Sequence, residues 1–128
     1  MRKENSTNVL NQQFLFQVCE LNSAIAMIGG RWKSQIVYSI YEGNNRFHLL
    51  KKELINISEQ VLGRQLKELE THAIIIKKEI PGSIPQGIEY TLTNKGLDLI
   101  PILKMLCDWG KTYADGKEIT AGLHDLCV

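Results

Sequence analysis

The sequence predicts a mostly helical fold carrying a small β-hairpin, a winged helix-turn-helix, and three observations predict it. Leu62, Leu66 and Leu69 recur at helical spacing behind Ser58 and make one apolar stripe. Ile74-Ile75-Ile76 is β-branched, and Ile88-Glu89-Tyr90-Thr91-Leu92 alternates like a half-buried strand. Between them Pro81-Gly82-Ser83-Ile84-Pro85-Gln86-Gly87 reads as a turn, so a hairpin follows the helix at once. A helix with a polar free face, backed by a projecting hairpin, has the shape to enter the major groove of DNA.

Each remaining element has its own signal. Residues 1 to 13 are rich in Asn, Gln, Ser and Thr without periodicity and read as a flexible polar arm. Leu21 to Ile28 reads as a helix with Ala24, Ile25 and Ile28 on one face. Gly29-Gly30 ends it, because glycine takes a left-handed cap at little cost. Arg31 to Tyr41 reads as a second helix whose Trp32, Ile36, Val37 and Ile40 face the core. Gly43-Asn44-Asn45 is a turn, and Phe47, Leu50 and Leu54 define a short third helix. Asn56 tolerates a positive φ angle. Ser58 is the expected N-cap of the next helix, since its hydroxyl can accept from an orphan N–H of the first turn.

After the hairpin, Thr93 can cap a long last helix. Pro101 lies in its first turns and predicts a kink or a late start. Leu99, Ile102, Leu103, Leu106, Trp109, Gly110 and Tyr113 form one line, and Leu97, Ile100 and Cys107 a second. A surface helix normally shows a single stripe. The excess predicts burial on two sides, against the helix's own domain and against a second subunit. Residues 117 to 128 read as a short closing helix. The expected organisation is therefore the arm, 1–13, followed by one winged-helix domain, 14–128, that includes the dimerisation helices.

The chain has 128 residues, enough for one domain with a real core. Its fifteen basic and fourteen acidic residues leave a net charge of +1, which by itself argues against a nucleic-acid partner. Position argues the other way. Arg31, Lys33, Arg46, Lys51, Lys52, Arg64, Lys67, Lys77 and Lys78 lie mid-chain, whereas Asp108, Asp115, Glu118 and Asp125 lie late. No apolar run is long enough to span a bilayer and no signal-peptide pattern follows the N-terminus, so a cytoplasmic protein without membrane contact is expected. Three cysteines with no Cys-x-x-Cys pair make neither a disulfide framework nor a zinc site, and are expected as thiols.

With the elements placed, the residues match a family. The matching pieces are Cys19; Ile28-Gly29-Gly30-Arg31-Trp32-Lys33; Arg46-Phe47; Leu50; Ile57-Ser58; Leu62; Leu66-Lys67-Glu68-Leu69-Glu70; Ile88-Glu89-Tyr90-Thr91-Leu92-Thr93; Lys95-Gly96; Pro101; and Trp109-Gly110. In this order and spacing the chain resembles the HxlR-type winged-helix transcriptional regulators, relatives of the MarR group. The resemblance implies a homodimeric bacterial DNA-binding regulator that dimerises through its terminal helices. Three positions depart from the pattern. Gly87 stands where the wing usually has an arginine. Ala73 stands where a glycine usually follows the recognition helix; alanine in a left-handed cap is strained, so a different helix ending is expected. Leu49 stands where a glutamate is usual.

The candidate DNA-binding residues follow from these placements. Ser58, Glu59, Gln60, Gly63, Arg64 and Lys67 lie on or before the recognition helix, away from the leucine stripe. Gln60 can read adenine and Arg64 guanine by paired hydrogen bonds, and Gly63 lets backbone approach the groove. Lys33, Lys51 and Lys52 suit phosphate contacts, which position without reading sequence. Ser83 and Gln86 can touch sugar-phosphate from the wing tip. For all of these the plainer alternative is a solvated polar face. Arg46 is expected to orient the Phe47 turn rather than read a base.

Trp32, Tyr90 and Trp109 lie on apolar faces and read as core or dimer packing. His48, His72 and His124 share no metal-ligand spacing, so neither metal nor cofactor is expected. Some regulators of the resembled family sense electrophiles or oxidants through a cysteine at the position of Cys19, which precedes the first predicted helix, with Arg31 able to favour the thiolate. Cys19 and Cys107 are thus the candidate thiol sensor, with a small electrophile or oxidant as partner. The alternative for both is apolar packing.

The expected function is a sequence-specific transcriptional regulator that binds a pseudo-palindromic operator as a homodimer. The rivals are a winged-helix protein-interaction module that never binds DNA, and a thiol-dependent enzyme, for which Cys19 lacks a His/Asp partner at recognisable spacing.

Overall fold

The computed structural model describes residues 19–83 and 87–113. Contacts divide the chain into two units, Met1–Gly30 and Arg31–Val128. In the first, residues 19–28 form helix α1, which includes Cys19 and Glu20 ahead of the expected start. It ends at the glycine pair. Gly30 has φ +90°, and a Cβ on Gly29 would press on the Ile25 carbonyl oxygen at 2.6 Å.

The second unit contains α2 (Lys33–Tyr41), α3 (Phe47–Glu53), α4 (Glu59–Thr71), β1 (Ile75–Ile80), β2 (Gly87–Leu92) and α5 (Asn94–Tyr113). Helix α2 starts two residues later than expected, with Trp32 as its N-cap. Its Ile36, Val37 and Ile40 are buried, and it packs on α3, α4, β2 and α5. Around it lie Leu50 and Leu54, the α4 stripe Leu62, Leu66 and Leu69, then Ile74, Ile75, Tyr90, Ile100 and Leu103. Each such aliphatic side chain contributes roughly 1.5–3 kcal/mol on burial, so the leucine stripe alone commits α4 to this orientation.

Both ends of α4 are closed. Ser58 Oγ accepts from the Val61 N–H at 3.1 Å, and Asn56 before it has φ +77°. At the other end Ala73 adopts φ +59°, so alanine does occupy the left-handed cap. The expected different ending is thereby corrected. The Ile74 N–H donates to the Leu69 carbonyl at 3.0 Å and the Ala73 N–H to the Glu70 carbonyl at 2.9 Å, the paired bonds of a Schellman cap. Ile74, next in the chain, is buried beside Leu69, and this burial holds Ala73 in its strained conformation. Ala73→Gly is expected to stabilise the fold by about 1 kcal/mol, because relief of left-handed strain exceeds the extra unfolded-state entropy of glycine. A urea midpoint that rises with an unchanged slope would show it.

The two strands form an antiparallel hairpin in which Ile75 faces Leu92, Lys77 faces Tyr90 and Ile80 faces Gly87. Strand β1 runs past the isoleucine triplet through Lys77, Lys78 and Glu79, because β2 supplies its backbone partners and the outer face needs no apolar side chains. The hairpin is tied to α5. Thr93 Oγ1 accepts from the Gly96 N–H at 3.1 Å and donates to the Ala73 carbonyl at 2.6 Å. Lys95 Nζ reaches the His72 carbonyl at 2.7 Å and closes the C-terminal end of α4. Helix α5 starts at Asn94 and continues through Pro101, so the late start is excluded. The expected arm at 1–13 and closing helix at 117–128 lie outside the described residues.

Candidate nucleic-acid interface

Helices α3 and α4, joined by the turn at Leu54–Ser58, make the helix-turn-helix, and β1–β2 is the wing. With Leu62, Leu66 and Leu69 turned into the core, Ser58, Glu59, Gln60, Arg64 and Lys67 are left exposed. Gly63 lies on the same exposed side, with open space where a Cβ would stand. This one face therefore presents an amide, a guanidinium and an ammonium beside bare backbone, the donors needed at base edges and phosphates.

Lys33 departs from the expected phosphate contact. It is only 8% exposed, and its Nζ donates to Glu68 Oε1 at 2.6 Å. The ammonium is committed to α4 and joins it to α2. The Lys33 hydrogen bond and charge hold the Glu68 carboxyl below its ordinary range, with smaller help from Arg64 and His72. Glu68 lies one helical turn after Arg64, where it would otherwise pair with that guanidinium. Lys33 takes one of its oxygens, and among the described residues Arg64 has no ion pair within 4 Å.

Lys51 and Lys52 lie in the last turn of α3, the first half-buried and the second exposed, with no carboxylate partner among the described residues. On the wing, Ser83 is half-buried, and Gln86 lies outside the described residues. Two interactions escaped the sequence reading. Asn45 docks the α2–α3 loop onto β2: its carbonyl accepts from the Tyr90 N–H at 2.9 Å, and its Nδ2 donates to Glu89 Oε2 at 2.9 Å. Arg46 then lays its guanidinium against the start of β2, where a Cβ on Gly87 would stand 2.8 Å from Nη2. The side chain expected to orient the Phe47 turn reaches the wing instead. Only the folded chain brings these distant segments together.

Outside this surface, α5 buries Gly96, Ile100 and Leu103 but leaves Ile102, Met105, Leu106, Trp109 and Tyr113 exposed. These five recur at helical spacing, and Trp109 and Tyr113 stack on each other with ring centroids 5.6 Å apart. Monomers rarely expose such a continuous apolar stripe.

Cys19 is an exposed free thiol within α1 rather than ahead of the helix. It lines a shallow depression with Glu20, Ser23, Ala24 and Met27. Arg31, expected to favour the thiolate, places its guanidinium 4.6 Å from the Trp32 ring centroid. Cys107 is disulfide-bonded, and not to Cys19, which corrects the expectation of thiols throughout. Among the described residues no cluster of His, Cys, Asp and Glu could hold a metal ion, and no helix is long and apolar enough to cross a membrane.

Comparison with known proteins agrees with this geometry. The family model for HxlR-like helix-turn-helix proteins matches residues 27–118. An uncharacterized HTH-type transcriptional regulator of Methanothermobacter thermautotrophicus is 38% identical over 101 residues, which cover 79% of this chain and 76% of the relative. Among solved structures, the redox regulator HypR in its reduced form superposes with a TM-score of 0.69 at 30% identity, covering 75% of this chain and 94% of HypR. The reduced form of the transcriptional regulator YodB from B. subtilis gives a TM-score of 0.69 at 28% identity, covering 77% and 96%.

Proposed function

This chain belongs to the HxlR-like helix-turn-helix family of transcriptional regulators, and on that premise we propose that it binds a pseudo-palindromic DNA operator as a homodimer. The observation that carries the reading is the face of α4: Gln60, Arg64 and Lys67 exposed together, with no ion pair at Arg64 among the described residues. In this reading Gln60 and Arg64 meet base edges. Ser58, Glu59 and Gly63 line the approach, and Lys67, Lys51 and Lys52 anchor phosphates, with Ser83 and Gln86 at the wing tip.

The homodimer forms through α5. Ile102, Met105, Leu106, Trp109 and Tyr113 are the surface a second copy covers, together with the chain's other terminal helices, and 14–128 acts as one winged-helix domain. Two-fold symmetry then places two α4 helices in successive major grooves, about 34–36 Å apart. The regulator works in the cytoplasm. Selection by the purified protein from random duplexes tests the function: an inverted repeat should emerge, and recovery of no preferred sequence would favour a winged-helix module for protein partners.

Thiol responsiveness completes the reading, with Cys19 as the reacting group and an oxidant or small electrophile as the signal. It is supported by the exposed thiol and by the similarity to HypR, a redox regulator. Since Cys107 is disulfide-bonded, the response rests on Cys19 alone. Diamide is expected to weaken operator binding by wild type and to leave Cys19→Ser unaffected. Equal affinities before and after treatment in both proteins would remove Cys19 from the mechanism.

A further inference from the structure

Near the turn end of the wing lies a cation that has no counter-ion among the described residues. Arg46 is half-buried, and among the described residues it has neither a carboxylate partner nor a hydrogen bond from its guanidinium. Glu89 on β2 takes a hydrogen bond from Asn45 Nδ2. A partly desolvated guanidinium without a counter-ion is unfavourable, and an arriving anion relieves it.

Its position is built rather than incidental. Asn45 is fixed to β2 through both backbone and side chain, so the residue that follows it is fixed too. The guanidinium lies where a Cβ on residue 87 would fall, 2.8 Å from Nη2 and 2.9 Å from Ser83 Oγ. Gly87 has no positive φ, so its backbone does not require glycine; the space for Arg46 does. Gly87 pairs with Ile80 on the rung of the hairpin nearest the turn, and Lys77 and Lys78 lie exposed on β1. The cation is therefore carried at the projecting end of a hairpin whose strands balance Lys77 and Lys78 against Glu79 and Glu89.

Resting on the DNA-binding reading, we propose that Arg46 is the wing's phosphate anchor: it binds a backbone phosphodiester of the operator from the α2–α3 loop, and Gly87 leaves room for it. Guanidinium matches a phosphodiester by paired N–H donors, which an ammonium cannot reproduce. The contact fixes the wing on the duplex without reading a base.

The test is a salt series of binding to the duplex selected by wild type and to an unrelated duplex. Arg46→Gln should lower the slope of log affinity against log salt by about 0.9 per protomer. Between 50 and 200 mM salt its affinity should thus fall about 3.5-fold less per protomer than that of wild type. The selected sequence should stay the same. Gly87→Ala attacks the same contact from the other side. The atoms nearest the added Cβ are the ends of the flexible Arg46 and Ser83 side chains and the Ile80 methyl, so the fold should persist. It should reproduce the slope loss with Arg46 still present, and the double variant should lose no more. An unchanged slope in both variants, or an altered selected sequence for Arg46→Gln, would overturn the proposal. If wild type itself shows no salt-dependent duplex binding, the DNA-binding reading fails instead.

Discussion

Met105→Glu combined with Trp109→Glu is expected to convert the protein to a folded monomer and to abolish operator binding. Both side chains are more than two-thirds solvent-exposed, at 69% and 67%, so charging them costs the protomer's own fold little. In a dimer the same positions sit at the centre of an apolar interface, where two unpaired carboxylates per protomer are strongly unfavourable. Without the dimer, one recognition helix meets one half-site and the second contact is lost. Affinity for the operator should then approach the non-specific level, a loss of at least about 10³-fold. Sedimentation at micromolar concentration, read with circular dichroism, separates the outcomes. A variant that stays dimeric and binds normally would remove α5 from the interface.

Gly96→Ala should destabilise the fold by about 3 kcal/mol, although alanine is normally the better helix former by about 1 kcal/mol. The added Cβ would overlap the Ile74 backbone carbonyl oxygen and crowd Ile74 Cγ2 and Leu92 Cβ. The Ile74 segment and the start of α5 cannot easily part, because Thr93 bonds the Ala73 and Ile74 carbonyls and the Gly96 N–H together. The cost lies at the upper end for overpacking and should lower the melting temperature by roughly 9–13 °C. A variant as stable as wild type would mean that α5 docks more loosely on β1 than the structure shows.

Much of this fold was readable because its signals are local. Ser58 and Asn56 announce the start of α4 within three residues of the bonds they serve, and the leucine stripe needs only helical spacing. The excess apolarity of α5 was likewise visible, and its outer stripe is exposed on the protomer. What the sequence hid depends on partners far along the chain. Lys33 has the composition of a phosphate-binding lysine and becomes an interhelical clamp only because Glu68, thirty-five residues on, meets it. Ala73 looked unable to hold a left-handed cap, yet the burial of Ile74 and the bond from Thr93 impose it. Gly87 read as a missing wing arginine, and in the fold its bare Cα is what admits Arg46.

A homodimer that reads DNA through the exposed face of α4 should use Arg64 and Lys51 differently, which shows when Arg64→Ala and Lys51→Ala are measured on the selected duplex and on each of its single-base variants. Arg64→Ala should cost about 1–3 kcal/mol per half-site and flatten discrimination at one symmetric pair of base positions. Lys51→Ala should weaken every duplex alike and reduce the salt slope by about one unit per protomer. Uniform losses for Arg64→Ala across all duplexes, with base discrimination intact, would contradict base reading through α4.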